Sequence, residues 1–302
     1  MFVDSTLRYA RAHRDGRTEG LALLMFTVVA WGLNWPALKF VLRDLPPFSM
    51  RTVTALAAGI IVMGLARLRH EKLAPPAGTW RHLIVVSLLN YTSWLGFVSV
   101  ALVWLPATTA VIITYTMPVW AAGFAWPLLG ERPRPAHLLG LLLAIGGVAA
   151  ALGGGFGSLA PNTLPGAACA LAAAVLFALG SVITKRSPLP LPPFAAVGWQ
   201  ILIGVAPIAV LAAILERPDF AALPRLDWLV LGYTSVVALG FSYLSWFRAL
   251  RLLPASVATT GTLLVPVVGV FSSGLLLGER LGADQVLALA LTVAGVALAV
   301  RR

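Results

Sequence analysis

Apolar positions in this chain neither alternate nor keep to one narrow helical stripe. They run on for about 20 residues at a time, the length of a helix that crosses a hydrocarbon core roughly 30 Å thick. Reading between the polar interruptions predicts ten spans: residues 21–42, 48–68, 80–102, 107–129, 137–152, 166–185, 193–215, 227–250, 255–277 and 283–300. The breaks have the chemistry of chain reversals. Leu45-Pro46-Pro47 ends the first span, Pro75-Pro76 sits in a polar loop, and the uncharged stretch 153–165 is rich in Gly and Pro. The expected fold is an all-α integral membrane protein with a tail (1–20), a first five-helix repeat (21–152), a linker (153–165) and a second five-helix repeat (166–302).

The two halves are copies. A slide of 148 positions brings Leu105-Pro106-Ala107 onto Leu253-Pro254-Ala255 and Pro118-Val119 onto Pro266-Val267. It also brings Leu128-Leu129-Gly130-Glu131-Arg132 onto Leu276-Leu277-Gly278-Glu279-Arg280, with 12 identities in 28 ungapped positions. A repeat of this length is a duplicated structural unit. Because five is odd, the second copy must cross the bilayer in the opposite sense. Inverted repeats of this kind build secondary transporters, with the solute site near the midplane between them. The plainer alternative is a duplicated bundle with a filled middle and no path.

Composition narrows the class. With 59% hydrophobic and 11% charged residues among 302, and a mean hydropathy of +0.91, this is not a soluble domain. The formal charge of +11 would suggest nucleic acid in a soluble protein. Here the basic residues lie in short loops, where they set topology and meet anionic headgroups. With the amino terminus inside, 16 of the 22 Lys and Arg residues fall on the cytoplasmic side, so both termini are expected there. The other six are Lys39, Arg43, Arg51, Arg217, Arg225 and Arg280. The first 20 residues hold four arginines and no short apolar core with a cleavage site, which describes a tail rather than a signal peptide. Cys169 is the single cysteine, so no intrachain disulfide and no thiol metal site are expected.

The acidic residues are informative by position. All 11 fall in the tail, in loops or at span ends, and the four histidines are likewise terminal or in loops. A proton-driven exporter usually holds a titratable carboxylate at depth, so a facilitator or exchanger is expected instead. The same census weakens a membrane-embedded enzyme, the reading from another class. No Asp-rich prenyl-diphosphate motif, His-Glu-x-x-His or Gly-x-Ser-x-Gly occurs.

What remains at depth is aromatic and amide. Trp31, Trp35 and Lys39 follow i, i+4, i+8 spacing on one face of span one, with Asn34 beside them. Lys39 is a functional candidate unless it snorkels to the headgroups. Span three carries Asn90, Tyr91 and Trp94, span four Tyr115, and spans seven and eight Trp199, Gln200, Tyr243 and Trp246. Singly these are more often packing residues. Together they describe an aromatic-lined cavity for a small amphipathic solute, able to hold an ammonium group over a ring. Pro118 and Pro266 sit mid-span at equivalent places and should kink both helices into gates. Spans five and ten, rich in Gly and Ala and with no polar side chain expected to face a path except Thr292, are expected to be peripheral scaffold.

Trp31-Gly32-x-Asn34-Trp35-x-x-x-Lys39, Pro47-x-x-x-Arg51, and the closing Gly130-Glu131-Arg132 and Gly278-Glu279-Arg280 resemble the ten-span EamA branch of the drug/metabolite transporters. The resemblance covers residues 20–300. It implies a bacterial inner-membrane carrier, with exporters of amino acids, including aromatic ones, among its relatives. The membrane glutamate of the four-span multidrug relatives is absent, so their proton coupling does not carry over. The expected function is therefore export of small metabolites by alternating access, with aromatic or hydrophobic amino acids favoured. The expected partners are the bilayer and an amino acid-like solute, with no nucleic acid, no cofactor and no metal, and a monomer as the default. Lys39 would engage a carboxylate or an acidic helix end, while Glu131 and Glu279 would hold span ends. A carrier of phosphorylated or nucleotide-linked sugars is the competing expectation. It would need several deep basic residues, and only Lys39 and Lys185 approach this.

Overall fold

A computed structural model describes residues 2–131, 135–152, 163–254, 257 and 261–300. Arg132, most of the 153–165 linker and much of the start of span nine lie outside the described residues. The first repeat contains α1 (Phe2–Val41), α2 (Pro47–Leu68), α3 (Trp80–Trp104), α4 (Ala107–Leu129) and α5 (Pro135–Ala151). The second contains α6 (Leu164–Arg186), α7 (Pro193–Leu215), α8 (Arg225–Leu252), α9 (Leu264–Leu277) and α10 (Ala283–Val300). Among the described residues there is no strand. Seven of these helices have the length and apolar character of a membrane span, and α5, α9 and α10 contain shorter apolar helices.

One boundary differs from expectation, and span nine carries a break. The tail does not stand apart from span one, since α1 is helical from Phe2 onward. No proline interrupts the chain before Pro36, and the Arg, Leu and Glu residues ahead of the apolar run are good helix formers. Span nine is helical at Val257 and Gly261, turns at Thr262 and Leu263, and resumes as a helix at Leu264, just ahead of Pro266, where a missing backbone N–H costs least.

Proline also starts the other helices. α2, α4, α7 and α8 each follow a proline held near φ −57° and ψ 150°. No N-cap side chain satisfies their first N–H groups, and for α2, α4 and α7 a carboxylate from the opposite repeat does so. Glu216, after α7, accepts from Phe48 N (2.9 Å) and Ser49 N (2.6 Å) of α2. Glu71, after α2, accepts from Ala195 N of α7 at 2.9 Å. Glu279, after α9, accepts from Ala107 N (2.7 Å) and Thr108 N (2.9 Å) of α4. The closing glycines make the last of these possible. Gly130 and Gly278 sit at φ 72° and 69°, a left-handed turn that aims the next residue back across the helix end.

Packing follows the duplication. α1 lies against α8 and α9, and its equivalent α6 lies against α3 and α4. α2 pairs with its equivalent α7, and α5 with α10. In the last pair Gly147 faces Thr292, and Gly295 faces the Gly140 carbonyl. Thr292 therefore points at α5 rather than at a path. Large apolar side chains such as Ile60, Leu142, Leu229 and Leu275 are left on the outside, as expected of helices that face lipid.

Candidate functional site: a central aromatic cavity

A cavity opens where the two repeats meet, enclosing about 770 Å³ of space free of protein atoms, counted out to its mouth. Its walls come from α1, α2, α3, α4, α6 and α8, and its surface is mostly apolar.

In the cavity wall two helices are underwound and widened at equivalent places. α3 runs through a π-helical stretch at Leu88–Thr92, and α8 through another at Tyr233–Phe241. Such stretches often mark functional sites, because they bulge the backbone and free carbonyl groups. Here the freed groups are used. Trp31 Nε1 donates to the Ala238 carbonyl at 3.0 Å, and Ser242 Oγ donates to the Val237 carbonyl at 2.8 Å. In α3 the π stretch turns Asn90 and Tyr91 to the cavity. A Cβ on Gly180 would strike the Asn90 amide oxygen, so only glycine lets α6 come this close.

The rings of the wall pack in two groups. Trp35 meets Trp94 at 6.3 Å and Tyr115 at 6.2 Å between centroids. Trp94 also packs on Phe177 at 5.1 Å, and Trp31 packs on Tyr243 at 5.9 Å. Tyr91 and Tyr243 join hydroxyls across the repeats at 3.4 Å. These edge-to-face and tilted geometries hold rings without closing the space between them. Tyr115 reaches the wall because α4 breaks there, into Ala107–Thr114 and Met117–Leu129. Pro118 has no N–H for the Thr114 carbonyl, and its ring clashes with it, so Tyr115 and Thr116 form a turn. The equivalent turn at Thr262 and Leu263 comes just ahead of Pro266. Pro266 is thus in the first turn of α9 rather than mid-helix.

Of the residues singled out from the sequence, Trp31, Asn34, Trp35, Asn90, Tyr91, Trp94, Tyr115 and Tyr243 line the cavity. Four do not. Trp199 donates to the Leu73 carbonyl at 2.7 Å and packs on Trp80 at the end of the bundle. Gln200 lies behind the wall, accepting from Asn90 Nδ2 at 3.2 Å. Trp246 backs Trp31 at 5.9 Å within an apolar cluster that includes Leu24 and Val28. Lys39 turns away as well. Its ammonium donates to the Leu102 (2.5 Å) and Leu105 (3.0 Å) carbonyls at the end of α3, beside Glu279. The open carbonyls at that helix end are a better partner for an amine than apolar rings are.

Sequence reasoning passed over Arg51, which it counted among the outer basic residues. The structure brings it into the cavity wall at 2% exposure, with Nε donating to Ser99 Oγ at 2.6 Å. Its signal was available: a charge four residues inside an apolar run. Among the acids, Asp227 is sealed from solvent in the first turn of α8, with both carboxylate oxygens lacking a donor. It lies at a span end as expected, and it does not line the cavity.

Against known proteins, the model of the EamA-like transporter family matches residues 18–153 and again 164–301. The chain belongs to the EamA-like transporter family. Its two matches fall on the two repeats. The uncharacterized transporter YvbV of Bacillus subtilis is 30% identical over 286 residues, covering 93% of this chain and 92% of that protein. The uncharacterized inner membrane transporter YedA of Escherichia coli K12 is 28% identical, covering 89% and 87%. The aromatic amino acid exporter YddG of Ancylobacter novellus is 30% identical over 268 residues, covering 82% and 88%. One solved crystal structure superposes with a TM-score of 0.66 over 92% of this chain and 95% of the other, at 24% identity, so the fold is shared. This family member is a multi-pass membrane transporter of two five-helix repeats.

Proposed function

We propose that this transporter exports amino acids, aromatic or hydrophobic ones above all, across a bacterial inner membrane by alternating access. One observation carries the reading: the space between the repeats is walled by indole and phenol rings, with amide and guanidinium groups set among them. A flat ring on the cargo gains stacking and apolar burial there, while its charged end finds polar partners. The name of the YddG relative points the same way. Both termini lie in the cytoplasm in this reading, because the basic loops lie on that side. Coupling is by exchange or facilitation, since the wall carries no carboxylate.

Sugar phosphates are the weaker reading. A doubly charged phosphate wants several cations, and Arg51 is the single one in this wall. The deciding experiment is counterflow in proteoliposomes with labelled amino acids and a sugar phosphate. Uptake of phenylalanine or tryptophan should exceed that of any phosphate ester. Trp35→Ala and Tyr91→Ala should cut it by about tenfold or more, the worth of one buried ring contact. Normal flux in every such variant would remove the cavity from the transport path.

A further inference from the structure

We propose that Arg51 is the anchor for the negative group of the cargo, which in the reading above, on which this inference rests, is the α-carboxylate of an amino acid. Arg51 sits one turn into α2 and spends a single N–H inside the protein, on Ser99 Oγ. Ser99 in turn donates to the Leu95 carbonyl at 2.8 Å, so its oxygen is oriented to accept and the guanidinium plane is fixed. Among the described residues the four donors on the two terminal nitrogens have no protein partner, and the side chain is part of the cavity lining.

No carboxylate answers this charge. Among the described residues Arg51 makes no ion pair, and the acid at the start of α2, Glu216, is spent on Phe48 N, Ser49 N and Ser49 Oγ. The start of α2 adds its own positive potential. A guanidinium enclosed in a membrane protein without an anion is costly, and the cost is offset if an anion arrives with the cargo. A carboxylate can take the two terminal nitrogens in a bidentate pair that a lysine cannot reproduce. On the facing helix α1, the Asn34 amide oxygen is buried at the wall without a donor. The cargo's ammonium would supply one.

The test compares ligands that differ in the acid group alone. Binding of L-phenylalanine and L-phenylalaninamide is followed by quenching of tryptophan fluorescence in the purified transporter, with counterflow alongside and a sugar phosphate as a third ligand. Wild type should prefer the acid over the amide by about 10–100-fold, the worth of one charged hydrogen-bonded pair. Arg51→Gln should bring the ratio near one by weakening the acid and sparing the amide. Arg51→Lys should retain part of it. Should Arg51→Gln fail to fold, Arg51→Lys decides alone: a several-fold drop in the ratio supports the anchor. An unchanged ratio in the folded variants overturns the anchor and leaves the amino acid reading standing. If wild type ignores both phenylalanine ligands but takes the sugar phosphate, and Arg51→Gln or Arg51→Lys weakens that, the anchor stands and the amino acid reading falls. If no anion in the panel binds, both fall.

Discussion

The motif that closes α4 and α9 occurs twice, at opposite faces of the molecule, and its two copies are in different states. At one face Lys39 of α1 is drawn onto the Leu102 and Leu105 carbonyls, and Glu279 beside it caps the start of α4. At the other face Lys185 of α6, two positions short of where the 148-residue slide would put Lys39, donates to Glu131 at 2.7 Å, and both side chains are more than half exposed, at 60% and 55%. What differs is the seating of the lysine: Lys39 rests on the helix-end carbonyls of α3, whereas Lys185 holds an exposed ion pair. In the alternating-access reading proposed above, the face where Lys39 is seated is the sealed one and the face of the exposed Lys185 is the loose one, and exchanging the two arrangements would move the opening across the membrane.

If the comparison is right, the sealed face should carry far more of the stability. Glu279→Ala strips the cap from two N–H groups of α4 and removes the carboxylate beside Lys39. It should destabilise by about 2 kcal/mol, the upper end for a lost cap. Thermal unfolding in detergent, followed by the fluorescence of the buried tryptophans, measures this. A midpoint unchanged from wild type would mean that Glu279 is dispensable and the face is not sealed by it.

The spans were legible because hydrocarbon thickness sets a length, and the repeat was legible because both copies keep the Gly-Glu-Arg turn. Trp35 and Tyr115 could be found as aromatics at depth in their spans. Which helix face meets the cavity was less accessible. Trp246 and Trp199 sit in the same kind of apolar sequence as Trp31, and only the neighbouring helices decide that Trp246 backs the wall and Trp199 packs on Trp80. The π stretches of α3 and α8 leave no mark in hydropathy, since they change the turn and not the composition. Arg51 was hidden by a counting rule. Basic residues near span ends are ordinarily topological, and it takes the position of Ser99 to show that this one faces inward.

Lys39→Met sharpens the comparison with a somewhat smaller effect. Methionine fills the same apolar path, but it leaves the Leu102 and Leu105 carbonyls with one donor fewer each. Unsatisfied helix-end carbonyls near Glu279 should cost about 1–2 kcal/mol. A double-mutant cycle with Glu279→Ala separates the two contributions. A coupling of about 0.5 kcal/mol or more is expected for groups that share one site. Strict additivity would mean that the lysine and the glutamate act on separate helices.

The smallest expected effect is the most discriminating. Lys185→Met removes one partner of Glu131 at the loose face, and an exposed pair of this kind contributes at most about 0.5–1 kcal/mol, less as salt rises. Its unfolding midpoint should therefore stay close to wild type, and phenylalanine binding in the distant cavity should be unaffected. Transport is different. If the loose face must at some stage adopt the arrangement now seen around Lys39, the ammonium of Lys185 is needed to hold a helix end in that stage. Counterflow should then slow several-fold while the concentration for half-saturation holds. A variant that loses as much stability as Lys39→Met would show the two faces to be equally tied, and one that transports at the wild-type rate would show that the loose pair never closes. Either result removes the inequality on which the cycle depends.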